Sequence, residues 1–181
     1  PELSYVPPQN FYAVIEQLPA LVFNIQTLQV PAINGGEVPL PNRMNPSRVF
    51  VPGNGLDYSS LDITFLVDKG FSNYRSVLEW MKGINHPENF DQYDNWTGRV
   101  SSSGTEGFSK TTSNITVFGC DSGNNPLVHW NFIDCFPISL DGPLYDASQP
   151  DVNYLTSVVT FRYTYFECQT YTDGRLNNDK I

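Results

Sequence analysis

Leu61-Asp62-Ile63-Thr64-Phe65-Leu66-Val67, followed three residues later by Phe71-Ser72-Asn73-Tyr74-Arg75-Ser76-Val77-Leu78-Glu79-Trp80-Met81-Lys82-Gly83, is the stretch on which the fold turns. In the first run Leu61, Ile63, Phe65 and Val67 share one face while Asp62 and Thr64 take the other, the period-two pattern of a half-buried strand. In the second, Tyr74, Val77, Leu78 and Met81 recur at i, i+3, i+4 and i+7, which predicts a helix of about three turns stopped by Gly83. It is the one convincing helical pattern in the sequence, so the rest of the chain must supply strands.

Upstream, Pro7-Pro8 disfavours helix, and residues 1–10 read as an extended N-terminal arm. Phe11–Ile15 and residues 21–30 are β-rich runs parted by Pro19. Gly35-Gly36 reads as a tight turn, since two residues without Cβ accept positive φ. Residues 37–40 and 48–51 are short β segments bounded by Pro39, Pro41, Pro46 and Pro52. Proline cannot donate to a ladder, so these predict an edge hairpin or projecting arm, and an unpaired edge is a docking site in an assembly. Gly53-Asn54-Gly55 reads as a turn into the strand at Leu61.

Downstream, residues 85–113 are polar and without periodicity, and so read as a long surface loop. Residues 114–120 and 127–133 flank Asp121-Ser122-Gly123-Asn124-Asn125 as strand, turn and strand. A further strand is expected at 135–140, then a turn at Asp141-Gly142-Pro143. One long final strand is expected over 155–167, with 171–181 as a polar tail. The expected architecture is mainly β: an antiparallel β-sandwich or small barrel with one packed α-helix, forming a single domain over residues 11–170.

Composition narrows the function. Hydrophobic residues make up 40% and aromatics 14% of the 181 residues, ample for a packed interior. With 10 basic against 19 acidic residues the net charge is -9, and no Lys/Arg cluster is present, so stable nucleic-acid binding is not expected. An acidic surface repels phosphate, which is useful where DNA passes without sticking. No stretch approaches the length of a membrane span, and Pro1-Glu2-Leu3-Ser4 lacks signal-peptide character; a soluble product made in a reducing compartment is the expectation.

Catalytic chemistry needs converging groups, and the sequence offers few. Cys120, Cys135 and Cys168 are odd in number, widely spaced and set in apolar runs, which predicts buried, inert thiols rather than disulfides or a zinc site. His86 and His129 have no second ligand at metal spacing. The segment Phe90-Asp91-Gln92-Tyr93-Asp94-Asn95-Trp96 mixes aromatics and carboxylates but lacks the distal Glu of a calcium loop. Asn95-Trp96-Thr97 and Asn114-Ile115-Thr116 match a glycosylation sequon by chance. No catalytic, cofactor-binding or metal-binding residue is assigned, no cofactor is expected, and the chain reads as a non-enzyme. A binding module of another class, a carbohydrate-binding β-sandwich appendage, is the alternative that exposed aromatics and Asn/Asp loops leave open.

The order of elements carries a resemblance. The strand Phe11–Ile15, the strand ending Gln29-Val30-Pro31-Ala32-Ile33, the Pro-rich arm, Val49-Phe50-Val51-Pro52-Gly53, Asp62-Ile63-Thr64-Phe65 and the helix through Glu79-Trp80 form one ordered set. Cys135-Phe136-Pro137-Ile138-Ser139-Leu140 and Val158-Val159-Thr160-Phe161-Arg162-Tyr163-Thr164-Tyr165 complete it. Together they resemble the tail tube family of contractile bacteriophages, a fold also similar to the inner tube of type VI secretion. The resemblance implies a structural subunit of the phage virion, assembled in the host cytoplasm. It implies hexameric rings stacked into a hollow tube that contacts sheath, tape-measure and baseplate proteins while DNA passes through unbound. The arm at 1–10 and the loop at 85–113 exceed what a minimal tube subunit needs, which leaves a tube-initiator or baseplate ring as the alternative.

Overall fold

The computed structural model describes residues 7–18, 25–40, 49–85, 88–93, 111–145, 148, 154–172 and 175–176. Residues 1–6 of the arm, 21–24 and 48 of the expected strands, 86–87 and 94–110 of the long loop, and 173–174 and 177–181 of the expected tail lie outside them; 171–172 and 175–176, expected as tail, are strand, paired with each other. The chain runs β1 (Phe11–Ile15), β2 (Ile25–Gln29), β3 (Ile33–Leu40), β4 (Val49–Tyr58), β5 (Leu61–Leu66), α1 (Ser72–Asn85), β6 (Ser113–Cys120), β7 (Pro126–Leu140), β8 (Thr156–Arg162), β9 (Tyr165–Thr172) and β10 (Arg175–Leu176). Among the described residues every strand pairing is antiparallel, and the fold is the mainly β architecture that the sequence predicts, with α1 packed on it; residues 91–93, expected as loop, are helical.

The fifteen-residue strand β7 belongs to two half-sheets. Its first part pairs with β6 on one side and β9 on the other, and its last part pairs with β8, which leads on to β5 and β2. The strand bends where one extra residue faces β6, at Asp134, whose φ of 56° is a left-handed conformation that Asp tolerates better than most residues. The sequence reading of two strands here, 127–133 and 135–140, is therefore corrected to one strand with a corner. A matching corner at Tyr163–Thr164 divides the expected long strand into β8 and β9, with the Thr164 amide donating to the Ile133 carbonyl (3.0 Å). Strands that switch sheets through such bends wrap a core.

That core gathers Ala13, Ile15, Ile115, Val117 and Phe132 from one half-sheet with Leu61, Ile63, Phe65, Val159 and Phe161 from the other. Each fully buried Val, Leu, Ile or Phe among them stabilises the fold by about 1.5–3 kcal/mol, and Ala13 by less. The alternation read for Leu61, Ile63 and Phe65 holds: all three are buried, with Asp62 exposed between them.

Helix α1 fills the open flank, and its inward stripe differs from the one read in the sequence. Asn73, Val77, Trp80 and Gly83 are the buried positions, while Tyr74, Leu78 and Met81 are half-buried beside them. Trp80 decides the rotation, because its ring packs on Phe161 (centroids 5.8 Å apart) and its indole N–H donates to the Thr111 carbonyl (2.9 Å). Gly83 does not stop the helix, which continues to Asn85.

The helix start is held by side chains. The Asp68 carboxylate accepts from the Ser72 amide (2.7 Å) and from the Ser72 hydroxyl, and the Asn73 amide group donates to the Leu66 carbonyl (2.6 Å), tying α1 to the end of β5. These bonds satisfy donors that a helix N-terminus otherwise leaves unpaired. The Ser72 hydroxyl bond, joined by backbone N–H groups, holds the Asp68 carboxyl below its ordinary pKa. Its stabilising contribution is present above the usual aspartate range and is lost as pH falls through the lowered value. Replacing Asp68 by Ala is expected to lower the thermal midpoint at neutral pH by about 2–4 °C, measured by circular dichroism, with the gap to wild type closing in acid.

Candidate assembly surfaces

No group of three or more His, Cys, Asp or Glu side chains able to hold a metal is present among the described residues. Cys120 and Cys135 are buried and Cys168 is half-buried; burial raises all three thiol pKa values, Cys135 to about 12. A thiol so shifted is not a nucleophile at neutral pH. His86 and the sequon at Asn95 lie outside the described residues, while Asn114 sits in β6 with its side-chain oxygen accepting from the Asp134 amide (3.4 Å). The surfaces that stand out are instead apolar and uncovered.

The first is the β3–β4 ribbon. All eight residues of β3 are exposed, and the register pairs Val38 with Val51, Pro39 with Phe50, and Leu40 with Val49. Val38, Leu40, Val51 and Val49 thus share one face of the ribbon, and Pro39 and Phe50 the other. Val38 and Phe50 are each 50% exposed and Leu56 63%. Gly35-Gly36 and Gly53-Asn54-Gly55, read in the sequence as turns, lie inside these strands. The register shift falls between Gly35 and Glu37, and a Cβ on Gly53 would stand 2.9 Å from the Gly36 backbone, so the glycines let the two strands cross closely at a bulge. The arm is longer than expected for that reason.

The ribbon is anchored at its foot. Tyr58 packs edge-on against Tyr163 and Phe166 (centroids 6.1 and 5.7 Å), and the Ser59 amide donates to the Ala32 carbonyl (3.1 Å). Phe132 extends the same cluster, 5.0 Å from Tyr163. The projecting ribbon therefore stands on a rigid aromatic base.

The second surface is the outward face of the β1–β6–β7–β9 half-sheet. Register aligns Tyr12, Phe118 and His129 side by side, and Tyr171 joins from β9, giving centroid separations of 4.7, 5.8 and 5.4 Å along the row. Val14 lies beside Tyr12, and both are exposed. Single-sequence reading placed Tyr12, Phe118 and His129 on strands but did not assign them a common face; alternation against Ala13, Val117 and Trp130 was the signal available. Desolvation lowers the His129 pKa, partly offset by the carboxylate of Glu167. A base with a lowered folded pKa stabilises the fold fully above its unfolded value of 6.5, and that contribution is lost as pH falls through the lowered value. Unfolding by urea between pH 7 and 5 should show this loss in wild type, and a His129→Gln variant should flatten it.

Among the described residues the main strand path ends at β1 and β2, which are not paired with each other, and β9 and β10 branch from β7.

No protein-family model matches the chain, and no curated protein matches it in sequence. Solved structures do. The chain is similar to one from the anti-feeding prophage cap, the AFP tube-terminating cap, at 15% identity and TM-score 0.62 over 94% of this chain and 95% of that one. It is similar at 14% identity and TM-score 0.59, over 94% and 95%, to a chain of the sheath-tube complex of an extracellular contractile injection system, PVC, in its extended state. A chain of the PVC sheath/tube terminator aligns at 15% identity and TM-score 0.56 over 93% and 99%. The fold is the one shared by these tube, cap and terminator chains of contractile injection systems.

Proposed function

We propose that this chain is a non-enzymatic structural subunit of the inner tube of a contractile phage tail or a related injection particle. It forms one domain over residues 11–170, closes with sister copies into hexameric rings and stacks into a conduit. The observation that carries the reading is the β3–β4 ribbon: a two-stranded hairpin is marginal in water unless something covers it, and here every β3 residue is exposed on an anchored base. A surface of this kind belongs to an assembly. The match of fold across 94% of the chain supports the choice of assembly.

In the tube, the excess of carboxylates behind the net charge of -9 keeps DNA from adhering to the wall. Sheath, tape-measure and baseplate proteins are the neighbours this role implies. A single-ring cap, initiator or baseplate component is the second reading, favoured by the likeness to chains from a tube-terminating cap and a terminator. Negative-stain microscopy of the purified protein separates them: long tubes support the repeated subunit and isolated rings the cap or initiator. A uniform monomer at all concentrations would overturn both.

A further inference from the structure

We infer that Asn54, at the crossing of the β3–β4 ribbon, is a site of spontaneous deamidation that ages the free subunit, with water as the co-reactant. The sequence holds two Asn-Gly pairs, Asn34-Gly35 and Asn54-Gly55, and both lie in the ribbon beside its register shift. All four residues are exposed. Deamidation starts when the main-chain nitrogen of the next residue attacks the Asn side-chain carbonyl carbon. Glycine shields that nitrogen least, having no Cβ, and the space beside both Gly35 and Gly55 is open.

The backbone tells the two sites apart. The Ala32 carbonyl accepts from the Ser59 amide, and alternation along an antiparallel ladder then makes Asn34 and Asp57 a pair that exchanges both backbone bonds. The rotation that brings the Asn34 side-chain carbon to the Gly35 nitrogen breaks those bonds. Asn54 has no register partner. Between the pairs Gly35–Leu56 and Glu37–Pro52, the three residues Gly53, Asn54 and Gly55 face Gly36 alone. A bulged residue is left out of the ladder, and glycine on both sides lets the chain rotate there.

The reaction involves no redox change. The Gly55 nitrogen bonds to Cγ of Asn54, its proton departs with the carboxamide nitrogen as ammonia, and a succinimide ring remains. Water then opens either C–N bond of the ring, giving aspartate or isoaspartate. Both products add a carboxylate to a ribbon that already carries Glu37 and Asp57. Isoaspartate also adds its β-carbon to the main chain, beside a crossing where a Cβ on Gly53 would stand 2.9 Å from the Gly36 backbone. Under the tube reading the ribbon is covered in the assembly, so an aged chain would carry a charge into that contact and is left out. That consequence rests on the tube reading; the reaction itself does not.

Timed incubation of the purified protein in mildly alkaline buffer, followed by tryptic mass mapping, tests the site, since cleavage at Arg48 puts Asn34 and Asn54 in separate peptides. In the folded protein Asn54 is expected to convert about tenfold faster than Asn34, the protection that two ladder bonds give. In urea, where neither is paired, the difference is expected to vanish. Equal rates in the folded protein, faster conversion at Asn34, or a difference that persists in urea overturns the inference. Asn54→Gln, whose longer side chain closes its ring far more slowly, is expected to lose the fast phase. Where wild type assembles, modified chains are expected to be enriched several-fold in the unassembled fraction. An even distribution overturns the exclusion of aged chains and leaves both the site and the tube reading standing. A monomeric wild type overturns the tube reading and the exclusion together, while faster conversion at Asn54 still supports the site.

Discussion

Deleting residues 37–52 is expected to leave a folded monomer that no longer forms rings or tubes. The cut joins Gly36 to Gly53, whose backbones already approach each other across the ribbon, so the remaining foot can close with little strain. Tyr58 keeps its seat on Tyr163 and Phe166, and none of the buried core residues lies in the deleted segment. Far-ultraviolet circular dichroism and the urea midpoint should therefore change little, while sedimentation should collapse to the monomer. The exposed Val38, Leu40, Val49 and Phe50 are what disappears, and with them an uncovered apolar segment of the surface. Rings or tubes of normal appearance from the deleted protein would contradict this role for the ribbon.

Trp80→Ala has the largest expected effect on the fold itself. Its ring is fully buried against Phe161, and its N–H satisfies the Thr111 carbonyl at the start of the chain's return into β6. Removing it opens a cavity between the helix and the half-sheets and costs about 3–5 kcal/mol. Typical domains have only about 5–15 kcal/mol in total, so the variant should lose much of its margin. Trp80→Phe keeps most of the apolar volume but loses the indole hydrogen bond to Thr111, and its loss should be intermediate. Urea denaturation followed by circular dichroism orders the three proteins; a Trp80→Ala midpoint equal to wild type would show that α1 is not part of the core.

What the sequence revealed and what it hid follow from the range of the forces involved. The strand at Leu61 and the existence of α1 were legible because alternation and helical spacing are local properties of a side-chain pattern. The inward face of α1 was not, because Trp80 wins its place through Phe161, eighty-one residues away. Gly35-Gly36 and Gly53-Asn54-Gly55 look like turns by their own chemistry, and only their meeting across β3–β4 turns them into a bulge. The corner at Tyr163 interrupts a run whose alternation continues through it, so no local signal marks it, whereas Asp134 does break an apolar run and reads locally as the end of a strand rather than a bend within one. Prolines flanking 37–52 did announce a projecting arm, since the missing donor is a property of the residue. The aromatic row was hidden more deeply, being assembled from positions 12, 118, 129 and 171 by strand register alone.

The central claim is that this surface was built to be covered by another copy of the same chain. The most direct measurement is the mass distribution of the purified, unmodified protein in solution across a concentration series. The account predicts a discrete closed species of about six chains, or stacks of it, growing at the expense of monomer as concentration rises. A single monomeric species throughout the series would contradict it.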